Sequence, residues 1–199
     1  PLEQPAPGGE LLKLTKRWQY DMDPAAPKTQ VHRFTQNKQE SPSNIYGMPV
    51  IAGGKLFIAG GGDVFWGKNR SWLKCVDPRT GRELWSCELG RHTLCTPGIR
   101  NGLVYATDAD GVIHCVDEAT GVAVWKHEMN GQFWASVMIA DGKLYAGTRK
   151  GNWACLSEGR EKKVLCNLEL KSPISATTCI ANGVVYVATM KQLWALALR

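Results

Sequence analysis

The chain has 199 residues, 44% of them apolar and 21% charged, with a formal net charge of +6 at pH 7. That balance belongs to a globular domain and excludes a largely disordered chain. No stretch approaches the roughly 18 consecutive apolar residues of a membrane helix, and none holds a 3.6-residue apolar period, so neither a transmembrane segment nor a helical core is expected.

In chain order, 11–20 contains Trp18 and reads as an isolated strand, and 21–46 is a long connection. From there the chain repeats itself. Cys75, Cys115, Cys155 and Ala195 lie 40 residues apart, each in a short apolar strand at 73–77, 113–117, 153–157 and 194–198. Ahead of each, a two-residue turn (Gly53-Gly54, Asn101-Gly102, Asp141-Gly142, Asn182-Gly183) leads into strands at 55–59, 103–107, 143–147 and 184–188. Such dipeptides between apolar runs mark type I′ hairpins, in which both central residues take positive φ. A second turn, at 77–81 and again at 117–121, precedes a strand closing on Trp85 or Trp125.

Each unit is therefore a four-stranded antiparallel meander, and repeats of this length built from short strands mean stacked sheets or propeller blades. The units fall at 47–90, 91–130, 131–171 and, incomplete, at 172–199. The third departs from the pattern: Ser157-Glu-Gly-Arg-Glu161 replaces the second turn, and Leu165 stands for the tryptophan.

Asp-x-x-Thr-Gly-x-x-x-Trp at 77–85 and 117–125, with Gly-x-(Val/Leu)-Tyr-Ala from Gly102 and Gly142, resembles the repeat of PQQ-like β-propellers. That family includes quinoprotein alcohol dehydrogenases, BamB-type assembly lipoproteins and many bacterial extracytoplasmic proteins; the stretches 40–49 and 65–72 resemble the last group most. The resemblance implies an all-β propeller in the periplasm or cell envelope, with Trp18, Trp85 and Trp125 docking between blades. It implies fold far more than function, because one scaffold hosts many tasks.

Two readings of the ring follow. In one, 11–20 supplies the outer strand that 172–199 lacks and closes four blades, removing a bare edge. In the other, favoured here, these residues are the C-terminal half of a ring of seven or eight blades, and the open blade faces of the piece promote dimerisation. Cys75, Cys115 and Cys155, at the same place in successive units, read as small buried hydrophobes, and Cys87 and Cys95 are spaced so that they could approach each other. Without Cys-x-x-Cys or His-containing ligand spacing no metal site is expected.

Function is expected on the face where the long connections emerge, since 21–46 and 60–71 exceed what the scaffold requires. Its candidate binding residues are basic (His32, Arg33, Lys68, Arg70, Arg91, His92, Arg149 and Lys191) and aromatic (Tyr46, Trp66 and Trp134, the last read as opening an inner strand). Against them stand few acids: Glu40, Asp63, Asp108 and Asp110. That bias favours an acidic partner surface. Nucleic acid fits poorly, because no basic strip is interleaved with aromatics. Asp108 and Asp110 read as turn formers, and no catalytic constellation appears. The expectation is a non-catalytic module without cofactor that binds protein, peptide or polysaccharide. The alternative is part of a dehydrogenase using PQQ with calcium.

Overall fold

A computed structural model describes residues 14–26, 43–62 and 70–197. At all four two-residue turns both central residues have positive φ: 54° and 73° at Gly53-Gly54, 51° and 73° at Asn101-Gly102, 50° and 65° at Asp141-Gly142, and 51° and 74° at Asn182-Gly183. Each turn thus folds its flanking strands into a tight antiparallel pair.

The first sheet runs β1 (Val50–Ala52), β2 (Lys55–Gly60), β3 (Trp72–Val76) and β4 (Glu83–Glu88) in chain order. The second holds β5 (Gly98–Arg100), β6 (Leu103–Thr107), β7 (Val112–Asp117) and β8 (Ala123–Glu128). The third holds β9 (Met138–Ala140), β10 (Lys143–Gly147), β11 (Asn152–Ser157) and β12 (Val164–Glu169). The fourth, matching the incomplete last unit, has three strands: β13 (Cys179–Ala181), β14 (Val184–Ala188) and β15 (Leu193–Ala197). No helix occurs among the described residues.

The core is distributed between sheets. Phe57, Leu73 and Cys75 of the first sheet pack on Val104, Ala106 and Val116 of the second. Leu103, Tyr105, Ile113 and Cys115 on its other side pack on Leu144, Ala146, Ala154 and Leu156 of the third. Tyr145, Trp153 and Cys155 then meet Val187 of the fourth. Every residue of β6 is consequently buried, and such a strand reads as a continuous apolar run because both of its faces are covered.

One row across each sheet explains the repeating cysteine. Phe57, Cys75 and Trp85 lie side by side on three adjacent strands, as do Tyr105, Cys115 and Trp125. The outer two strands of such a trio are roughly 9.5 Å apart, yet the ring centroids approach to 5.9 Å and 5.8 Å. The rings lean toward each other over the middle residue, which must be small.

Each indole then reaches the next blade. Trp85 Nε1 donates to the Glu118 carbonyl at 3.0 Å, and Trp125 Nε1 to that of Gly159 at 2.9 Å. Gly159 is gripped twice, since its amide donates to the Tyr105 hydroxyl at 3.0 Å. The glycine of the second turn is there because the indole lies against it: a Cβ on Gly121, whose φ is +75°, would sit 2.7 Å from the Trp85 ring.

Trp18 makes the same contact, donating to the Pro78 carbonyl at 2.9 Å and lying against Gly81. Tyr20 bonds Glu83, which also receives Lys74 Nζ at 3.0 Å. The expected strand at 11–20 is not formed over 14–20, which pairs with no strand among the described residues. Residues 14–20 lie on the first sheet, and among the described residues they make no pairing with β15, the one that closing four blades requires.

In the third sheet the register shifts the expected substitution by one residue. Cys166, and not Leu165, stands opposite Cys155 where tryptophan stands opposite Cys75 and Cys115. The cause is a longer second turn: its closing bond runs from Ser157 N to Lys163 O, against Asp77 to Arg82 and Asp117 to Val122.

Gly121→Ala is expected to cost about 1–3 kcal/mol, from positive-φ strain and displacement of the Trp85 ring. The urea midpoint measures it, and an unchanged midpoint would show that the indole contact does not hold the blades.

Candidate functional site

The connections within and between sheets are tied together at one end of the molecule by a bond that recurs in all four units. Gly61 N donates to Asn44 O at 2.8 Å, Ala109 N to His92 O at 3.0 Å, Arg149 N to Gln132 O at 2.8 Å and Met190 N to Pro173 O at 2.9 Å. A second series crosses from blade to blade through hydroxyls. Met48 N donates to Thr96 Oγ1 at 3.0 Å, Thr96 N to Ser136 Oγ at 2.8 Å and Ser136 N to Thr177 Oγ1 at 3.2 Å. This belt holds the connections rigid, so the side chains they carry are preorganised.

Two residues before each belt position stands Tyr46, Leu94, Trp134 or Ser175. At the third and fourth blades this station gathers the densest cluster on the face. The Arg149 guanidinium lies 4.3 Å from the Trp134 ring centroid, within reach of a cation–π contact. Its NH1 donates to Ser175 Oγ at 2.5 Å and lies 3.3 Å from Met190 Sδ. Trp134 remains 37% exposed and Met190 67% exposed. A planar donor, an indole face and a soft apolar tip are thereby presented together.

Of the sequence candidates, the structure thus joins Arg149 to Trp134 and places Lys191 on the turn beside Met190, with an exposed side chain. Trp134 does not open an inner strand; it lies four residues before β9, in the connection. Tyr46 occupies the equivalent station of the first blade and is exposed. Arg91 is half-buried, its Nε 3.8 Å from Asp110 Oδ1. Arg70 is engaged by both oxygens of Glu88, at 3.0 and 2.8 Å, which holds the Glu88 carboxyl below its ordinary value. Glu88, absent from the sequence candidates, neutralises part of the basic bias.

His92 is not on the surface at all. It is 1% exposed, because it sits at the same inward station as Asn44 and Gln132, with Gly62 packed over its Cβ. His32, Arg33, Trp66 and Lys68 lie outside the described residues, as do Glu40 and Asp63.

Asp108 is fully buried and spent on structure. One oxygen accepts from the amides of Asp110 and Val112, the other from the Gly90 amide and from His114 Nε2 at 2.6 Å. Burial by itself would push this carboxyl up. The His114 contact and the Val112 and Gly90 amides outweigh it and hold the group below its ordinary value. A carboxylate so saturated shapes its turn and bridges to the connection before the second blade.

With this geometry in place, the comparisons with known proteins fall into line. The family model described as outer membrane protein assembly factor BamB matches three overlapping stretches, 15–132, 69–162 and 109–198. The chain belongs to the BamB family of propeller repeats. BamB from Moraxella catarrhalis has a similar fold, with a TM-score of 0.63 at 21% identity over 76% of this chain and 46% of that one. The computationally designed Ika4 protein gives 0.63 at 12% identity, covering 77% of this chain and 92% of that one, and the designed Ika8 protein gives 0.59 at 13%, covering 79% and 47%. The chain therefore spans about half the length of the Moraxella BamB. No curated protein sequence matches it. These likenesses establish a BamB-type propeller, a scaffold of the kind that carries binding surfaces.

Two features escaped sequence reading. The hydroxyl belt rests on single Thr and Ser residues whose common role is visible only when their partners in the next blade are placed. A depression of about 380 Å³ opens between the second and third blades, lined by His127, Asn130, Trp153, Asn167 and Glu169 among others. Burial, reinforced by Lys162, keeps the His127 pKa below its ordinary value, so the ring is neutral at pH 7.

Because the folded-state pKa of Asp108 is depressed, its contribution is fully present above the unfolded value of about 3.9 and is lost as pH falls through the folded value. Asp108→Asn is expected to cost about 3 kcal/mol at pH 7 and to flatten the acid limb of the stability profile. Denaturant midpoints between pH 3 and 7 test both. A variant with an unaltered acid limb would assign that limb to other carboxylates.

Proposed function

We propose that this chain is a non-catalytic propeller platform of the cell envelope that binds an acidic segment of a protein or peptide through its loop-bearing face. The observation that carries the reading is the Arg149 guanidinium laid on Trp134 beside Ser175 and Met190, on connections fixed by the hydroxyl belt. A partner carboxylate accepts from the guanidinium edge while its neighbouring apolar atoms cover the indole and the Met190 thioether. Arginine suits this role because its planar donors match a carboxylate and its face stacks on aromatics. The family supports the envelope location, since its model is named for an outer membrane protein assembly factor.

The same reading needs neither catalytic base nor cofactor. Of the acids on this face within the described residues, Asp108 is consumed by four structural bonds, Asp110 is shared between the Arg91 side chain and backbone amide, and Glu88 is paired with Arg70.

Titrating the protein with a polyglutamate peptide while following tryptophan fluorescence tests the proposal. Binding is expected to weaken with added salt and by about tenfold in Arg149→Glu, whose melting temperature should stay within about 2 °C of the parent. Equal binding by parent and variant would remove the acidic-partner reading, and preferential binding of a neutral glucan would replace it with a carbohydrate platform. PQQ with calcium is expected to change neither spectrum nor melting temperature; a clear rise would redirect the assignment to a quinone-dependent dehydrogenase.

A further inference from the structure

The third blade is the one whose outer strand has lost its tryptophan. In β4 and β8 the residue opposite the middle-strand cysteine is Trp85 or Trp125, and its ring fastens the strand to the next blade. In β12 that residue is Cys166, directly opposite Cys155 on β11. Every residue of β12 is exposed, whereas β4 and β8 each bury part of their side chains. The strand without an indole dock thus carries a thiol facing a second thiol.

Directly opposed residues on antiparallel strands have Cα atoms about 4.5 or 5.5 Å apart, according to the pair type, and their side chains share one face. Both spacings lie inside the window of roughly 4.4–6.8 Å that a disulfide spans. The other cysteines lack this arrangement within their sheets. Cys75 and Cys115 face tryptophan across the strand, and Cys179 pairs with Tyr186.

We propose that Cys155 and Cys166 are a thiol–disulfide exchange site, which takes up a disulfide of the glutathione class and becomes a bridge fastening β12 to β11. Cys166, the exposed thiol, attacks one sulfur of the donor as thiolate, forming a mixed disulfide and releasing the first donor thiol. Cys155 then attacks Cys166 Sγ, closes the bridge and releases the second. Two protein thiols are oxidised and one donor disulfide is reduced to two thiols. Cys155 takes the second step because it stands directly opposite Cys166; burial, and then the nearby Cys166, push its pKa up, which leaves the first attack to the exposed Cys166.

The bridge does what the missing indole does elsewhere, but under redox control. Oxidised, it ties the exposed outer strand to the buried strand beside it. Reduced, β12 keeps its ladder bonds to β11 but not the covalent tie. The site is separate from the Arg149 cluster and independent of what that cluster binds.

The test uses the whole chain, equilibrated with oxidised glutathione, alkylated and digested with trypsin. Cleavage after Lys150, Arg160, Lys163 and Lys171 leaves Cys155 on 151–160 and Cys166 on 164–171. The expected product is these two peptides joined with the loss of two hydrogens, together with a melting temperature raised by about 5 °C and restored by reductant. Cys179→Ser should keep both effects. Cys166→Ser should abolish both while matching the reduced parent in stability, because the side chain it changes is exposed. Glutathione retained on Cys166 without the joined peptides, preferential linkage of Cys166 to Cys179 or to a second chain, or joined peptides without a gain in melting temperature would each overturn the proposal.

Discussion

The first blade is held to the second, and the second to the third, by an indole laid on backbone, and that contact exists because the residue between two aromatic rings is small. Phe57 and Trp85 meet over Cys75, and Tyr105 and Trp125 over Cys115. Leaning inward directs each indole at the second turn of the following sheet, where Gly121 leaves room for the Trp85 ring and the Gly159 carbonyl accepts from Trp125. Burying such a ring is worth on the order of 2–3 kcal/mol. With apolar clusters between successive sheets and no single central core, these contacts set the spacing of the blades and hence the placement of everything on the rim.

The rim is ordered by a different interaction. Hydroxyls of Thr96, Ser136 and Thr177 each accept an amide from the preceding blade, so the connections are fixed at both the outer and inner edges. Arg149 and Trp134 belong to one blade and Ser175 and Met190 to the next. Their cluster therefore depends on the inter-blade geometry, and any change in blade spacing would separate the guanidinium from its hydroxyl.

The third blade shows how the scaffold tolerates loss of its own device. One added residue in the second turn moves Cys166 into the tryptophan position. The preceding contact survives, since Trp125 needs only the Gly159 carbonyl and Tyr105 its amide. What disappears is the anchoring of β12, which is exposed along its whole length.

The hairpins, the period of 40 residues and the docking tryptophans were readable from the chain alone. They depend on local chemistry: positive φ at Asn-Gly and Asp-Gly, short apolar runs between turns, and a fixed spacing from turn to indole. The tertiary structure alone decided that His92 is buried while Trp134 is exposed, that Glu88 neutralises Arg70, and that Cys166 faces Cys155. Each of these turns on which residue a neighbouring strand or blade brings alongside. A one-residue change of register alters that partner without changing the composition of the segment.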